Sequence, residues 1–457
     1  MKTFQIRWLI KSWKEFTSHS INRQIFSAAI VVTTCTILVK VVAFYKESIV
    51  AWKFGTNDFL DAFLIATVVP NFIVNVIAGS LNEALIPTYI KIRDHESLKE
   101  SEELLSGTFL CSLVLLAIMT LLIIATACFY FPWMTLGFND EKLALTYKLF
   151  YVITPVVVFS GIITLFSAIL NAGERFILTS LSPVLTPAAT IILLLLFGQL
   201  LGIFALAIGL IVGTILEVIF LWVVLYRRGF VLRPKWFGLT PALHKVVKQY
   251  SPAMMGALLM CSSVLVDQSM AAMLAPGSVA ALNYASRVSF IPLMLGGTAI
   301  STAVIPYLSK MVASSDWQGI NHTLKSYLKL IFLITVPFTG LLVLLSEPIV
   351  QLLFQRGAFT VEETHLVAQI LSASALQIPF YIAGIFVVKV LISMCLNHIS
   401  MWVSVFNLLI NIVLNYLFMQ WLGIQGIALS TSCVYLFSFC YVYFFVNKNL
   451  SKLLTVN

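Results

Sequence analysis

Arg287 stands in the middle of an apolar stretch, Ala281 to Met311, that contains no acidic residue to neutralise it. Placing a guanidinium at bilayer depth costs about 2.5–3.5 kcal/mol on insertion scales, so such a residue as a rule faces a polar interior and marks a functional path. Lys40 and Lys46 lie in the first apolar segment and Lys389 in the tenth. Several cations at membrane depth point to a cavity that receives an anion. Each also has a plainer reading. Arg287 is open to a structural ion pair with Asp61, Glu83 or Asp267. Lys40 has Glu47 seven residues on, about two helical turns along nearly the same face. Lys46, close to an aqueous end, can snorkel.

A second candidate site is built of oxygens. Asn407, Asn411 and Asn415 recur every four residues on one face of the eleventh segment, and Asp267 is a lone carboxylate in the seventh. The plainer reading is that these amides bond neighbouring helices, at around 0.6 kcal/mol each. Lys389 adds a third, as a tethered ammonium beside Asp267. Asn71, Asn75 and Asn82 line the second segment beside Glu83 and are open to sugar hydroxyls or to packing. The seven cysteines fall inside apolar segments without CxxC spacing, and the six histidines are scattered. There is no nucleophile with a base, no Walker loop and no dinucleotide fingerprint, so neither enzymatic activity nor an organic cofactor is expected.

These residues require membrane-spanning helices to hold them. Hydrophobic residues make up 60% of the chain and charged ones 10%, with mean hydropathy +0.99, a composition no water-facing surface tolerates. Windows of about twenty residues give twelve helices, near 25–53, 58–88, 104–131, 144–171, 178–198, 203–226, 249–275, 281–311, 326–346, 363–396, 400–420 and 424–446. The runs do not alternate in polarity, which excludes a β-barrel. The net charge is +9, and about twenty of the 28 Lys and Arg fall at the two ends and in the even-numbered connections. Both termini are therefore expected in the cytoplasm. Residues 1–24 read as a basic amphipathic interfacial segment, without the apolar core of a signal peptide. The basic connection 227–248 reads as a linker on anionic lipid. Because the charges flank spans, nucleic acid is not an expected partner.

An internal repeat organises the chain. Ala84-Leu85-Ile86-Pro87 returns as Ala303-Val304-Ile305-Pro306, Ser167 to Asn171 as Ser393 to Asn397, and Leu201-Gly202-Ile203 as Leu422-Gly423-Ile424, at offsets of about 219, 226 and 221. Three matches in one order imply two six-helix lobes, 25–226 and 249–446, followed by a tail, 447–457. Six is even, so the lobes share one orientation, with a pseudo-two-fold axis along the membrane normal and a central cleft.

The stretch from Phe54-Gly55 through Asp61-Ala62-Phe63, Pro70-Asn71 and Ala84-x-Ile86-Pro87 resembles the N-terminal signature of the MurJ/MviN lipid flippases. Tyr284-Ala285-x-Arg287 with Ile305-Pro306 does the same, as does Leu353-Phe354-Gln355-Arg356-Gly357 followed by Val387-Val388-Lys389. The resemblance runs in order over nearly the whole chain. It implies the multidrug/oligosaccharidyl-lipid/polysaccharide exporter fold and a monomer in the bacterial inner membrane. The implied activity is movement of an undecaprenyl-diphosphate-linked saccharide between leaflets, with membrane lipids as the other partner. On that resemblance Arg287, Lys40 and Lys46 bind the diphosphate, with Asp61, Asn71 and Asn75 beside them. Asp267, Asn411, Asn415 and Thr431 match a sodium site of some members, whose oxygens suit a hard cation.

Three departures bear on cargo and coupling. Val74 and Asn75 stand where many relatives have an arginine, Asn415 replaces a second carboxylate, and many relatives continue for two further helices. An exopolysaccharide or O-antigen unit is the alternative cargo. A multidrug cation extruder shares the fold, but its cavity should be acidic where this one is basic.

Overall fold

In hydrocarbon a backbone has no partner but itself, so long apolar runs become helices. The computed structural model describes residues 21–95, 98–173, 176–227, 237–238, 240–394 and 396–456, and among these there is no strand. Most of the expected amphipathic segment 1–24, half of the linker 227–248, and the side chains of Asn82 and Glu83 lie outside the described residues.

The first half comprises α1 (Ile21–Phe54), α2 (Asp58–Ile73), a π-helical turn (Val74–Gly79), α3 (Ser80–His95), α4 (Leu98–Met134), α5 (Asp140–Ile153) and α6 (Val156–Ala172). It continues with α7 (Phe176–Leu181), a 3-10 turn (Ser182–Val184), α8 (Leu185–Leu201) and α9 (Phe204–Tyr226). The second half comprises α10 (Pro241–Ala271), α11 (Ser278–Ala313), α12 (Trp317–Leu344), α13 (Ser346–Phe354), α14 (Val361–Ala375), α15 (Gln377–Ser393), α16 (Asn397–Leu422) and α17 (Ile424–Val456).

Ten helical stretches are long and apolar enough to cross a membrane. With α1, of 34 residues, and α11, of 36, there are twelve crossings among the described residues. The chain is an all-α polytopic membrane protein with the expected helix count.

Short polar residues start these helices. Asn57 Oδ1 accepts from Leu60 N at 2.9 Å and Asn139 Oδ1 from Lys142 N at 2.9 Å, capping α2 and α5. Inside the spans, hydroxyls are satisfied locally: Thr36, Ser80, Ser112 and Thr154 each donate to the carbonyl four residues back.

The repeat is visible in local geometry. The span α5–α6 breaks at Thr154, after 14 residues and before 17, and α14–α15 breaks at Leu376, after 15 and before 17. Gly202 ends α8 at φ 54°, ψ −130°, and Gly423 ends α16 at φ 59°, ψ −135°. An L side chain avoids that backbone region.

By packing, the described chain divides into two compact units. One comprises Leu81–Ile118, Pro155–Tyr250 and the described part of Met1–Lys46; the other comprises Glu47–Ser80, Met119–Thr154 and Ser251–Asn457. The first is built on Leu85, Leu104, Leu165, Ile169, Leu221 and Leu225. The second has a core of Leu324, Ile378, Phe386, Val390 and Val446.

A Cβ at Gly202 or Gly423 would meet no atom within 4 Å, so the cost of alanine there is backbone strain alone. Gly202→Ala and Gly423→Ala should each lower unfolding stability by about 1–3 kcal/mol. Thermal denaturation in detergent measures this, and unchanged melting in both would refute the conformational role.

Candidate functional site

Arg287 lies two and a half turns into α11, whose start is anchored by Tyr284. The Tyr284 ring packs on Phe354 and Phe359, with centroids 5.0 and 5.6 Å away, and its hydroxyl donates to Gly55 O at 3.3 Å. With that turn fixed, Arg287 Nε donates to Asn283 Oδ1 at 3.3 Å and lies 3.4 Å from Glu47 Oε1. The two terminal nitrogens of the guanidinium have no partner among the described residues, and the side chain is 54% exposed. An acid therefore holds one edge of the cation and leaves the forked edge open, the geometry that grips phosphate oxygens in pairs.

That acid is Glu47, which sequence alone had set beside Lys40, and not Asp61 or Asp267. Lys40 is exposed and Lys46 partly buried on α1; both have contacts of their own within the described structure. Asn71 and Asn75 are exposed one turn apart, across the junction of α2 with the π turn. Their amides have no partner among the described residues. Such π turns recur at functional sites.

Asp61 is 1% exposed and is spent on protein partners. Its Oδ2 accepts from Gly277 N at 2.7 Å and from Lys142 Nζ at 2.9 Å, and its Oδ1 accepts from Ala280 N at 2.8 Å. The carboxylate thus caps the N-terminus of α11, where helix amides and dipole favour an anion. Lys142 also bonds Asp58 Oδ1 at 2.5 Å and sits 4.0 Å from the Phe138 ring centroid. Gly277, at φ 83°, presses against the backbone of Thr56 and leaves no room for a Cβ.

Thr56 is held in turn by Glu363, whose Oε1 accepts from both its N–H and its hydroxyl while Oε2 accepts from Thr360 N. Neither Lys142 nor Glu363 was singled out from sequence. The capping-box spacing Thr360-x-x-Glu363 is the signal that could have found the second.

The second polar cluster forms as its spacing suggests. Asn411 Nδ2 and Asn415 Nδ2 donate to Asp267 Oδ1 at 3.0 and 2.6 Å, and Thr431 Oγ1 lies 3.5 Å from Oδ2. Asn407 instead bonds Ser438 Oγ at 3.2 Å, as interhelical glue. Lys389 has no partner among the described residues and does not pair with Asp267. The Asn415 Oδ1 atom is buried with no hydrogen-bond partner, an orphan acceptor that a cation would satisfy. Carboxylate, two amide oxygens and a hydroxyl are a donor set that fits a hard monovalent ion.

An open apolar cavity of about 490 Å³ lies elsewhere, lined by Val69, Phe72, Tyr130, Trp133 and Leu265 among others. Its lining carries no charged side chain, so it has no cation to hold a diphosphate.

Residues 50–455 match the family described as lipid II flippase MurJ. A probable lipid II flippase MurJ of Rickettsia prowazekii is 26% identical over 89% of this chain and 81% of its own. A solved structure titled lipid II flippase MurJ, inward closed conformation, superposes with a TM-score of 0.78 at 25% identity, over 93% of this chain and 90% of its own. An inward-facing multidrug resistance transporter of the MATE family, in the MOP superfamily, shares the fold at 15% identity with a TM-score of 0.76, over 93% and 99% of the two chains.

Removing the cation from a buried pair strands the anion. Lys142→Met should therefore lower stability by about 3–5 kcal/mol. A melting temperature equal to wild type in detergent would mean that the two α11 amides suffice for Asp61.

Proposed function

The chain belongs to the lipid II flippase MurJ family, and from that membership we propose that it carries the undecaprenyl-diphosphate-linked precursor lipid II from the inner to the outer leaflet of the bacterial inner membrane. Within the chain, the reading rests on Arg287, an intramembrane cation with its forked edge open and its other edge held by Glu47. A diphosphate presents paired anionic oxygens that match the fork, and a lysine in that place would keep the charge but lose the planar grip. Lys40 and Lys46 add positive charge, and the free amides of Asn71 and Asn75 suit sugar hydroxyls. The prenyl tail stays in lipid while the head crosses about 30 Å of hydrocarbon.

The protein works as a transporter and not as an enzyme, as a monomer, with both termini in the cytoplasm. An exopolysaccharide or O-antigen unit is the less favoured cargo. Binding drives the change of state only through different affinities in the two states, so the cycle needs an energy source. Asp267, Asn411, Asn415 and Thr431 would hold a sodium ion, which supplies the positive charge that Asp267 lacks. In this arrangement the amides turn their nitrogens to the carboxylate; an amide turned over would offer its oxygen instead.

Two measurements test these readings. Arg287→Ala should abolish flipping of labelled lipid II in proteoliposomes and fail to rescue cells depleted of their own flippase, with membrane insertion unchanged. Arg287→Lys should retain part of the rate. An alanine variant that flips at the wild-type rate ends the cationic-site reading. For coupling, sodium but not choline should raise the melting temperature of the wild type, and Asp267→Asn should abolish that rise. Equal melting in both salts leaves the cluster as helix glue.

A further inference from the structure

Glu217 is an intramembrane acid that the transport reading does not use. It sits in α9 and is 5% exposed. Its place follows from the close approach of α9 to α8. A Cβ at Gly209 would lie 2.7 Å from Thr190 Cα, and one at Gly213 would lie 2.5 Å from Thr186 Cα. The four-residue spacing continues to Glu217, which therefore meets the turn before α8. Ser182 Oγ donates to Glu217 Oε1 at 2.9 Å and Thr186 Oγ1 to Oε2 at 3.3 Å.

Those two hydroxyls are its only partners among the described residues. Among the described residues α6, the 3-10 turn and α8, which pack on α9, contain no Asp, Glu, His, Lys, Arg, Cys or Tyr. On α9 itself the other titratable group is Tyr226. Tyr89 belongs to the apolar cluster that contains Leu221 and Leu225, and Cys111 and Tyr250 pack against that cluster. An ionised carboxylate without counter-charge in an apolar setting is costly.

Asp61 is held by backbone amides and an ammonium, which can only donate and so fix it as an anion. A serine or threonine hydroxyl donates or accepts by rotating, so Ser182 and Thr186 can serve Glu217 with or without its proton. Further acceptors lie in the same turn. Pro183 and Pro187 lack N–H groups, which leaves the carbonyls of Thr179 and Pro183 without their helical donors. We propose that Glu217, Ser182 and Thr186 form a proton-binding site: the carboxyl holds a proton in the state described here and gives it to water, leaving a carboxylate, in another state of the cycle.

Infrared spectra of the full chain in detergent, recorded across a pH series, test this directly. The wild type should show a carboxylic acid C=O band that disappears as pH rises; Glu217→Gln should lack it and Glu217→Asp should keep it. A series in which Glu217→Gln retains every titrating band of the wild type overturns the site, whatever the protein transports. The second arm rests on the flippase reading. In proteoliposomes the flipping rate of the wild type should change with pH, and Glu217→Gln should lose that dependence while still melting like wild type. A glutamine variant with the wild-type pH profile means that Glu217 only buttresses the turn before α8.

Discussion

An ionisable side chain inside a hydrocarbon slab needs a counter-charge, a set of hydrogen-bond donors or a water-filled space. Among the described residues four intramembrane acids meet that demand in four ways, and much of the structure follows from the differences. Asp61 takes a lysine and two helix amides, which makes it part of the scaffold. Asp267 takes side-chain amides that can turn over. Glu217 takes hydroxyls, which serve either protonation state. Glu47 takes one edge of a guanidinium. Donors that cannot change role mark fixed positions, and donors that can mark positions where occupancy can change.

The same demand explains why Arg287 keeps its fork open. A bidentate pair with Glu47 would have satisfied the arginine and closed the site; contact through Nε offsets part of the charge and spares both terminal nitrogens. Asn283, one turn back on α11, helps fix the plane of the guanidinium through the same Nε. The rigid start of α11, set by Tyr284 between two phenylalanines, gives that plane a defined direction. Preorganisation of this kind lowers the ordering cost of binding.

The sequence was legible where periodicity or isolation carried the information. Twelve apolar runs yielded the helices, the lone Arg287 was visible for want of an acid in its stretch, and the four-residue spacing of Asn411 and Asn415 placed both on Asp267. The repeat was readable from Leu-Gly-Ile at two positions, and the matching backbone angles of Gly202 and Gly423 give it a physical content. Pairings between distant segments were not legible. Glu47 lies near Lys40 on its own helix, but it pairs with Arg287 on α11. Asp61 looks like a polar residue open to a ligand until its amide partners, 216 and 219 residues away, are known. The π turn at Val74–Gly79 leaves no signal in residue types that distinguishes it from the helix around it.

Glu363 and Asp61 fasten neighbouring loops, and they differ in their access to water. Glu363 is partly buried and divides its oxygens, one for Thr360 in its own capping box and one for Thr56. If Thr56 departs, the freed oxygen exchanges a protein donor for water at a net cost of about 0.5–1.5 kcal/mol per bond, and α14 keeps its cap. Asp61 has no such recourse, because at 1% exposure its donors cannot be replaced until the surrounding helices have already parted. Hydration therefore ranks the two fastenings: the contact at Thr56 can open and reseal on its own, as a zipper frays from its wet end, while the one at Gly277 and Ala280 yields only all at once.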